Sequence, residues 1–431
     1  TGGPGGAFRP QIAHDGKRLA FIKRMRTKSV LYIRDLETGI ETPVYDHLSK
    51  DQQEAWTIFG VYTGFCWTPD DKNIIIWSEG KIQRIQTSGF NQSTEIPFSC
   101  DVNISIAEAV RFKQQINSDQ FTAQVIRQAV TSPDKKWLVF NALGYLWKKQ
   151  LPDGVPERLT SNTDFEFEPS FSKDGKYLVF VTWNDSAMGS IQKLDLASGN
   201  IPQTLSKTPG IYRTPSFSSD NQHIVYYKEE GNSILGIAHS VKPGIYVMRS
   251  DGSSNSFATN EGYAPSFTKK ADRIFYQQGG GLSKSFHSCD LQGHDDITLF
   301  KTTYGSQFTI SPNEEWVAFV DLHKVYVAPF PGIGKVIEIS AGTTAIPVKQ
   351  VAEDAGINLH WSSDSKELFY TLGEKYYTVS LEDRYDEAKA KNDSMFFAGM
   401  DVLSIGLKTT MYKPSGSYAL THARVITMEG D

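Results

Sequence analysis

SKDGKYLVF, from Ser172 to Phe180, opens with a hydroxyl residue, passes through Asp-Gly and a charged residue, and ends in an alternating apolar run closed by an aromatic. Asp-Gly tolerates the positive φ that a tight hairpin turn demands, while β-branched and aromatic residues at period two suit a half-buried strand. One such stretch predicts one hairpin. Seven relatives turn it into a register mark: AHDGKRLAF from Ala13, TPDDKNIII from Thr68, SPDKKWLVF from Ser132, SSDNQHIVY from Ser218, TKKADRIFY from Thr268, SPNEEWVAF from Ser311 and SSDSKELFY from Ser362.

The eight starts are about 50 residues apart on average, a period that, with strand-like units, indicates a β-propeller. Each unit also carries a second strand, turn, strand pattern. Examples are Leu31-Tyr32-Ile33 before Thr38-Gly39, Leu194-Asp195-Leu196 before Ser198-Gly199, and Ile245-Tyr246-Val247 before Asp251-Gly252. Two hairpins per unit make a blade of four strands. The expected fold class is therefore all-β, a β-propeller of four-stranded blades, eight-bladed, with seven blades as the alternative. Lys270-Ala271 in the sixth mark and Asn313-Glu314 in the seventh depart from the pattern and predict weaker turns.

Composition agrees. Thirty-five glycines and 12% aromatics suit an all-β chain of 431 residues with many turns. A net charge of −5 gives no reason to expect nucleic acid or an anionic membrane as partner. No run approaches the roughly 18 apolar residues of a membrane span. Cys66, Cys100 and Cys289 lie far apart, fit no zinc spacing, and read as core thiols rather than a disulfide framework. The sequons at Asn91, Asn103, Asn184 and Asn392 are no more than chance supplies in a Ser-rich chain.

Taken in order, Thr1-Gly-Gly-Pro-Gly-Gly is neither an initiator methionine nor a signal peptide, and it is expected to continue a strand that begins upstream. The step from Thr68 to Ser132 is the longest, and residues 107–128 within it predict a short helix or an edge hairpin. The stretch Glu229 to Pro243 predicts a projecting hairpin, and Gly279-Gly280-Gly281 a flexible hairpin tip. Lys375 to Leu381 and Val402 to Leu407 read as the last two strands. The domain expectation is a propeller over 1–411 and a linker with one strand over 412–431, since Lys413-Pro-Ser-Gly416 breaks what precedes it. That last strand, unpartnered in the propeller, is expected to be exposed or loosely packed, or to pair with another copy.

Catalytic chemistry is not legible in these residues. Nine histidines form no HxH, HExxH or HxxEH, and no GxSxG elbow is present, so no catalytic residue, no metal ligand and no cofactor is assigned to the chain. Asp15, Asp70, Asp134, Asp174, Asp220 and Asp364 recur at one repeat position. A residue needed once per hairpin is a turn residue bonding its own backbone, not a catalyst. Trp67, Trp137, Trp316 and Trp361 read as core between blades.

One surface has a functional prior, because the strand nearest a propeller axis lines the channel. Arg9, Glu168 and Gln307 stand four positions before their marks, and Arg127, Arg213 and Tyr263 five. These six are the candidate binding residues of the channel mouth, able to take an anionic ligand or an acidic loop of a partner, against the plainer reading of solvated rim charges.

Pro169-Ser-Phe-Ser172, Pro215-Ser-Phe-Ser218 and Pro265-Ser-Phe-Thr268, with the marks themselves, resemble the TolB-type, WD-like propeller repeat. The tail from Gly416 to Asp431, GSYALTHARVITMEGD, resembles the strand that opens the catalytic domain of the TolB-propeller amidohydrolases. Pro243-Gly-Ile-Tyr246, Ala142-Leu-Gly-Tyr-Leu-Trp147 and Ile96-Pro-Phe98 are similar to that family's propeller half. The resemblance implies a non-catalytic propeller for substrate access, binding or protein interaction. It also implies a divalent metal, zinc, in a catalytic domain beyond Asp431, that domain as partner, and a bacterial periplasmic or secreted setting. The alternatives are a free-standing TolB-like scaffold docking a peptide or protein and, third, the gating propeller of a prolyl-oligopeptidase-type serine peptidase, against which the tail argues.

Overall fold

The computed structural model of the chain describes residues 6–25, 28–49, 64–105, 107, 118–199, 201–231, 242–330, 334–386, 397, 400–417 and 419–425. All eight marks form the same turn. In each, the carbonyl of the first residue accepts the N–H of the fourth at 2.8–3.0 Å. The fourth residue takes a φ between 50° and 72°, whether it is Gly16 and Gly175 or Asp71, Lys135, Asn221, Ala271, Glu314 and Ser365. The hydroxyls of Thr68, Ser132, Ser172, Ser218 and Ser362 donate to the Asp two residues on, at 2.5–2.7 Å. The same carboxylates accept a backbone N–H two residues further, as in Lys136 N–H to Asp134 at 3.2 Å. The recurring aspartates are turn residues, satisfying donors that the hairpin leaves free. At the sixth and seventh marks, where weaker turns are expected, other side chains serve: Asp272 takes the Thr268 hydroxyl at 3.0 Å, longer than in the regular marks, and Asn313 that of Ser311 at 2.6 Å.

Each turn joins the first strand of an antiparallel sheet to its second, and among the described residues there are eight such sheets of four or five strands. Their first strands are Ala7–Ile12, Phe65–Trp67, Arg127–Thr131, Phe165–Phe171, Tyr212–Phe217, Tyr263–Phe267, Gly305–Ile310 and Ile357–Trp361. The sixth sheet gains a fifth strand, Ile337–Glu338, parallel to Ile297–Thr302. After the third strand of the eighth sheet, Lys375–Ser380, comes a short helix, Leu381–Tyr385, capped by the Ser380 hydroxyl. The fourth strand is Asp401–Ser404, shorter than the expected Val402 to Leu407. The glycine tip expected at 279–281 closes the hairpin of Arg273–Gly280 and Ser283–Asp290, with Gly279 at φ 86°. Within 107–128, residues 108–117 lie outside the described residues and the described remainder carries the strand Gln120–Thr122; most of the insertion over 229–243 lies outside them.

Packing between sheets decides how they are arranged. Leu146 of the third sheet shares a core with Phe180 of the fourth. Val181 of the fourth shares one with Phe217 of the fifth. Val247 of the fifth and Ile274 of the sixth lie in one core, and Phe286 of the sixth and Phe319 of the seventh in another. Val327 of the seventh shares a core with Tyr370 of the eighth. The cycle then closes: Phe369 and Tyr376 of the eighth sheet share a core with Leu138 and Phe140 of the third. Most of these side chains are fully buried, and each contributes about 1.5–3 kcal/mol. The chain is thus an all-β propeller whose ring closes over six sheets.

The expected count of eight blades, or seven, around one axis is not confirmed by this ring. The first two sheets pack on each other through Ala20, Ile22, Leu31, Trp67, Ile74 and Ile76, in a core built from their residues alone. A mark encodes a hairpin; which neighbour a hairpin's face meets is set by packing. The seam between the third and eighth sheets is clasped by a strand of its own, Lys408–Thr410, antiparallel to Gln120–Thr122. Ile405 and Leu407 are buried beside it, and Ala123 N–H donates to Leu407 O at 2.8 Å. Beyond Met411, the described residues of the tail carry no strand, and Tyr412, Leu420 and Val425 are exposed.

Candidate binding channel

Seven first strands bulge at one repeat position. Arg9, Gln128, Glu168, Thr214, Ala264, Gln307 and Asn358 have φ between 46° and 60°, and ladder register shifts there in each. A bulge leaves its N–H without a ladder partner. In the ring, the preceding sheet's bulge side chain supplies one. Asn358 N–H donates to Gln307 Oε1 at 3.2 Å, Gln128 N–H to Asn358 Oδ1 at 2.7 Å, Glu168 N–H to Gln128 Oε1 at 2.9 Å, and Thr214 N–H to Glu168 Oε2 at 2.5 Å. The relay stops at Thr214, whose buried Oγ1 has no partner, and at Ala264, which has no polar side chain. Four of the six bulge residues in the ring, Gln307, Asn358, Gln128 and Glu168, tie neighbouring sheets together through their side chains.

The candidate residues of the mouth now have places. Glu168 and Gln307 belong to this relay. Arg213 pairs with Glu168 at 2.8 Å and with Glu229 at 3.0 Å, so its charge is met twice. Arg127 and Tyr263 precede the bulges of the third and sixth sheets, Arg127 exposed and Tyr263 half-buried. Arg9 stands on the first sheet, outside the ring. The structure therefore brings Arg127, Glu168, Arg213, Tyr263 and Gln307 to one end of the ring and leaves Arg9 elsewhere.

The cavity lies toward the other end. A space of about 480 Å³ is lined by all six ring first strands, from Val130, Ser170, Ser216, Ser266, Thr309 and His360, and by the marks that follow them. The second residue of each ring mark lines it: Pro133, Lys173, Ser219, Lys269, Pro312 and Ser363. The formal charges on the lining are Lys173, Lys269 and Glu314. One carboxylate oxygen of Glu314 is engaged by Lys269 N–H at 2.7 Å. Enclosure by the ring pulls the Lys173 ammonium below its ordinary pKa. The wall is otherwise hydroxyl-rich. Sequence reasoning looked at the bulge end and missed these lysines, although the alternation of Pro, Lys and Ser in the mark's second position was their signal.

His360 sits in the channel wall at the seam. Its Nδ1–H donates to Asn358 O at 2.8 Å, which leaves Nε2 to accept the Thr131 hydroxyl at 2.8 Å. Tyr376 then donates to Thr131 Oγ1, also at 2.8 Å. Burial holds the His360 imidazole down to about 4, so at neutral pH it is an uncharged acceptor. Among the described residues no three His, Cys, Asp or Glu side chains come close enough to hold a metal ion, and no helix is long and apolar enough to cross a membrane. Of the cysteines, Cys289 is buried, with its thiol pushed up to about 11, while Cys66 and Cys100 are exposed rather than core. Trp67 is buried, Trp316 and Trp361 pack against a core, and Trp137 is 36% exposed.

No family model matches the chain, and no curated protein does. Solved structures similar to it include a TolB from Acinetobacter baumannii, 14% identical, with 78% of this chain and 79% of that one covered at a TM-score of 0.42. A TolB from Agrobacterium tumefaciens is 19% identical, covering 65% and 90% at 0.34. An oligogalacturonate lyase from Vibrio parahaemolyticus is 10% identical, covering 89% and 100% at 0.42. Likeness at this level carries no argument about chemistry, and the propeller assignment rests on the chain's own sheets.

Proposed function

We propose that the six-sheet ring is a non-catalytic binding module that admits an extended anionic segment, such as an acidic peptide end, through its central channel. The observation that carries this is the channel cavity, with Lys173 and Lys269 facing a wall of hydroxyls and Glu314 the one carboxylate on its lining. Lys173 and Lys269 are exposed at the channel, and two ammonium groups on one wall favour an anion there over a cation. Following the resemblance of the tail, the module serves a metal-dependent amidohydrolase domain in an exported bacterial protein, with propeller and linker dividing near 411.

Titration of the purified chain with short acidic peptides, each as free acid and as C-terminal amide, tests the module. The free acid should bind more tightly, and the double variant K173S/K269S should weaken it at least tenfold. Equal affinity in the double variant would overturn the channel reading. In the natural full-length protein, amide hydrolysis should be lost on chelation, and the same double variant should lower kcat/KM while sparing kcat. Peptide binding without any chelator-sensitive hydrolysis would favour the free-standing scaffold.

A further inference from the structure

The relay that ties the ring together has a gap, and the central cavity opens toward it. At four bulges the backbone N–H finds the side chain of the preceding sheet, with Gln307, Asn358, Gln128 and Glu168 supplying the oxygens in turn. Two links are missing, side by side. Ala264 N–H would take its acceptor from Thr214, whose Oγ1 is buried and makes no hydrogen bond. Gln307 N–H would take its acceptor from position 264, where an alanine methyl offers none. Both residues keep the bulge geometry of the others, Ala264 and Gln307 each at φ 51° with a shift in ladder register. Their N–H groups are therefore turned out of the ladder as the four satisfied ones are.

The small side chain also leaves room. Of the six bulge residues in the ring, Ala264 alone lines the channel cavity, with Phe275 and Phe308 beside it. Along the sixth sheet the lining continues through Ser266 and Thr268 to Lys269. Ala264 and Lys269 are five positions apart in the sequence, about 16 Å of extended strand. Elsewhere in the ring the place that the gap leaves empty holds an amide oxygen or, at Glu168, a carboxylate oxygen that accepts Thr214 N–H at 2.5 Å. The bulge backbone thus already accommodates a carboxylate at an equivalent place. Gln307 adds a second donor: its Oε1 accepts Asn358 N–H, which leaves Nε2 to donate.

We infer that the gap seats the terminal carboxylate of an extended peptide, which takes the place of the missing side chain and accepts Gln307 N–H. Acidic side chains three or four residues earlier in the same peptide then reach Lys173 and Lys269. The channel thus holds its ligand in one direction, with the carboxyl end at the bulge mouth. A carboxylate forms charge-assisted hydrogen bonds with these neutral donors, roughly twice as strong as those of a carboxamide. The peptide class rests on the channel reading, whereas the seat rests on the two missing links.

Calorimetric titration of the purified chain with the pentapeptide Asp-Asp-Ala-Ala-Ala, as free acid and as C-terminal amide, tests the inference. The free acid should bind about fivefold more tightly or better. A264Q, which brings its own acceptor as Gln128 does, should raise the melting temperature, weaken the free acid about tenfold and bring the two forms together. A264G, which leaves the gap open, should keep the difference. If A264Q does not fold, A264N takes its place, since Asn358 occupies the equivalent position. K173S/K269S should weaken both forms alike. Equal binding of the two forms that still depends on Lys173 and Lys269 would overturn the seat and leave the channel reading in place. A melting temperature raised by A264Q with binding unchanged would mean that the gap holds water only, and would overturn it as well. A difference abolished by A264Q, with affinities that the lysine variant leaves untouched, would keep the seat and remove the channel reading. Binding of neither form would remove both.

Discussion

Asn358 and Gln128, 230 residues apart in the chain, meet at the seam of the ring, where the Asn358 amide oxygen accepts the Gln128 backbone N–H at 2.7 Å. The same amide donates through Nδ2 to Thr371 Oγ1 at 2.6 Å. Asn358 has φ 60°, a conformation that asparagine accepts better than most side chains. N358G, which keeps the backbone at ease but removes the acceptor, should cost about 1–3 kcal/mol in urea unfolding, the expense of an unsatisfied bulge donor. N358A should cost about 1 kcal/mol more, because it adds the left-handed strain. Equal effects would mean that strain plays no part.

His360 makes the seam acid-sensitive. Its folded pKa, about 4, lies below the usual 6.5, so the folded state prefers the neutral ring. That preference is fully present above pH 6.5 and is lost as pH falls toward 4, because the unfolded chain takes up the proton first. Stability should decline by on the order of 1–3 kcal/mol across this window. H360Q should flatten the decline when unfolding is followed from pH 7 to 4; an unchanged slope would place the sensitivity elsewhere.

Below this window the turns themselves should give way. Asp364 is held down to about 2, chiefly by the Ser362 hydroxyl and further by Lys366 N–H and the Lys135 ammonium. Asp134, Asp174 and Asp220 are lowered by the same hydroxyl contact. A depressed carboxylate stabilises the fold above its unfolded value near 3.8, and that contribution is lost as pH falls through the folded value. D364N combined with S362A should therefore lose stability at pH 7 and show a shallower acid transition below pH 4, measured by circular dichroism.

Ala271 is a turn residue at φ 58° with no side chain to use there. A271G should stabilise the chain by about 0.5–1 kcal/mol, since glycine adopts this backbone freely. E314G, at φ 62°, should bring no gain, because the Glu314 carboxylate also accepts Lys269 N–H from the neighbouring sheet. Thermal unfolding of the two variants side by side distinguishes strain from bonding.

Truncation separates tail from clasp. A chain ending after Met411 should melt with the parent, since the described residues past it are exposed. A chain ending after Ser404 loses buried Ile405 and Leu407 and the strand paired to Gln120–Thr122, and should melt several degrees lower. Trypsin should cut at Arg424 well before the sheets. Equal melting of the two truncations would show that the clasp does not hold the ring.

Local chemistry was readable in the sequence alone. A hydroxyl with Asp in most marks, and a residue at positive φ in all eight, fix the hairpins through contacts within six residues, so all eight turns could be found by pattern, including the divergent turn at Ala271. The aspartates could be set aside as catalysts for the same reason. The channel lysines were present in the marks as the variable second position, but whether Lys173 and Lys269 face one space depends on the sheets that carry them.

What the sequence determined by itself was an all-β chain of repeated four-stranded sheets with no legible catalytic cluster. Only the tertiary structure decided that six of the eight sheets close the ring. Closure depends on Phe369 and Tyr376 packing on Leu138 and Phe140, and on Asn358 reaching Gln128, contacts that join residues more than two hundred positions apart. The first two sheets carry marks of the same kind and yet, among the described residues, share a core with each other and not with the ring. A hairpin pattern specifies its own turn and alternation, whereas the choice of neighbour comes from the shape and burial of whole faces, which no local repeat encodes.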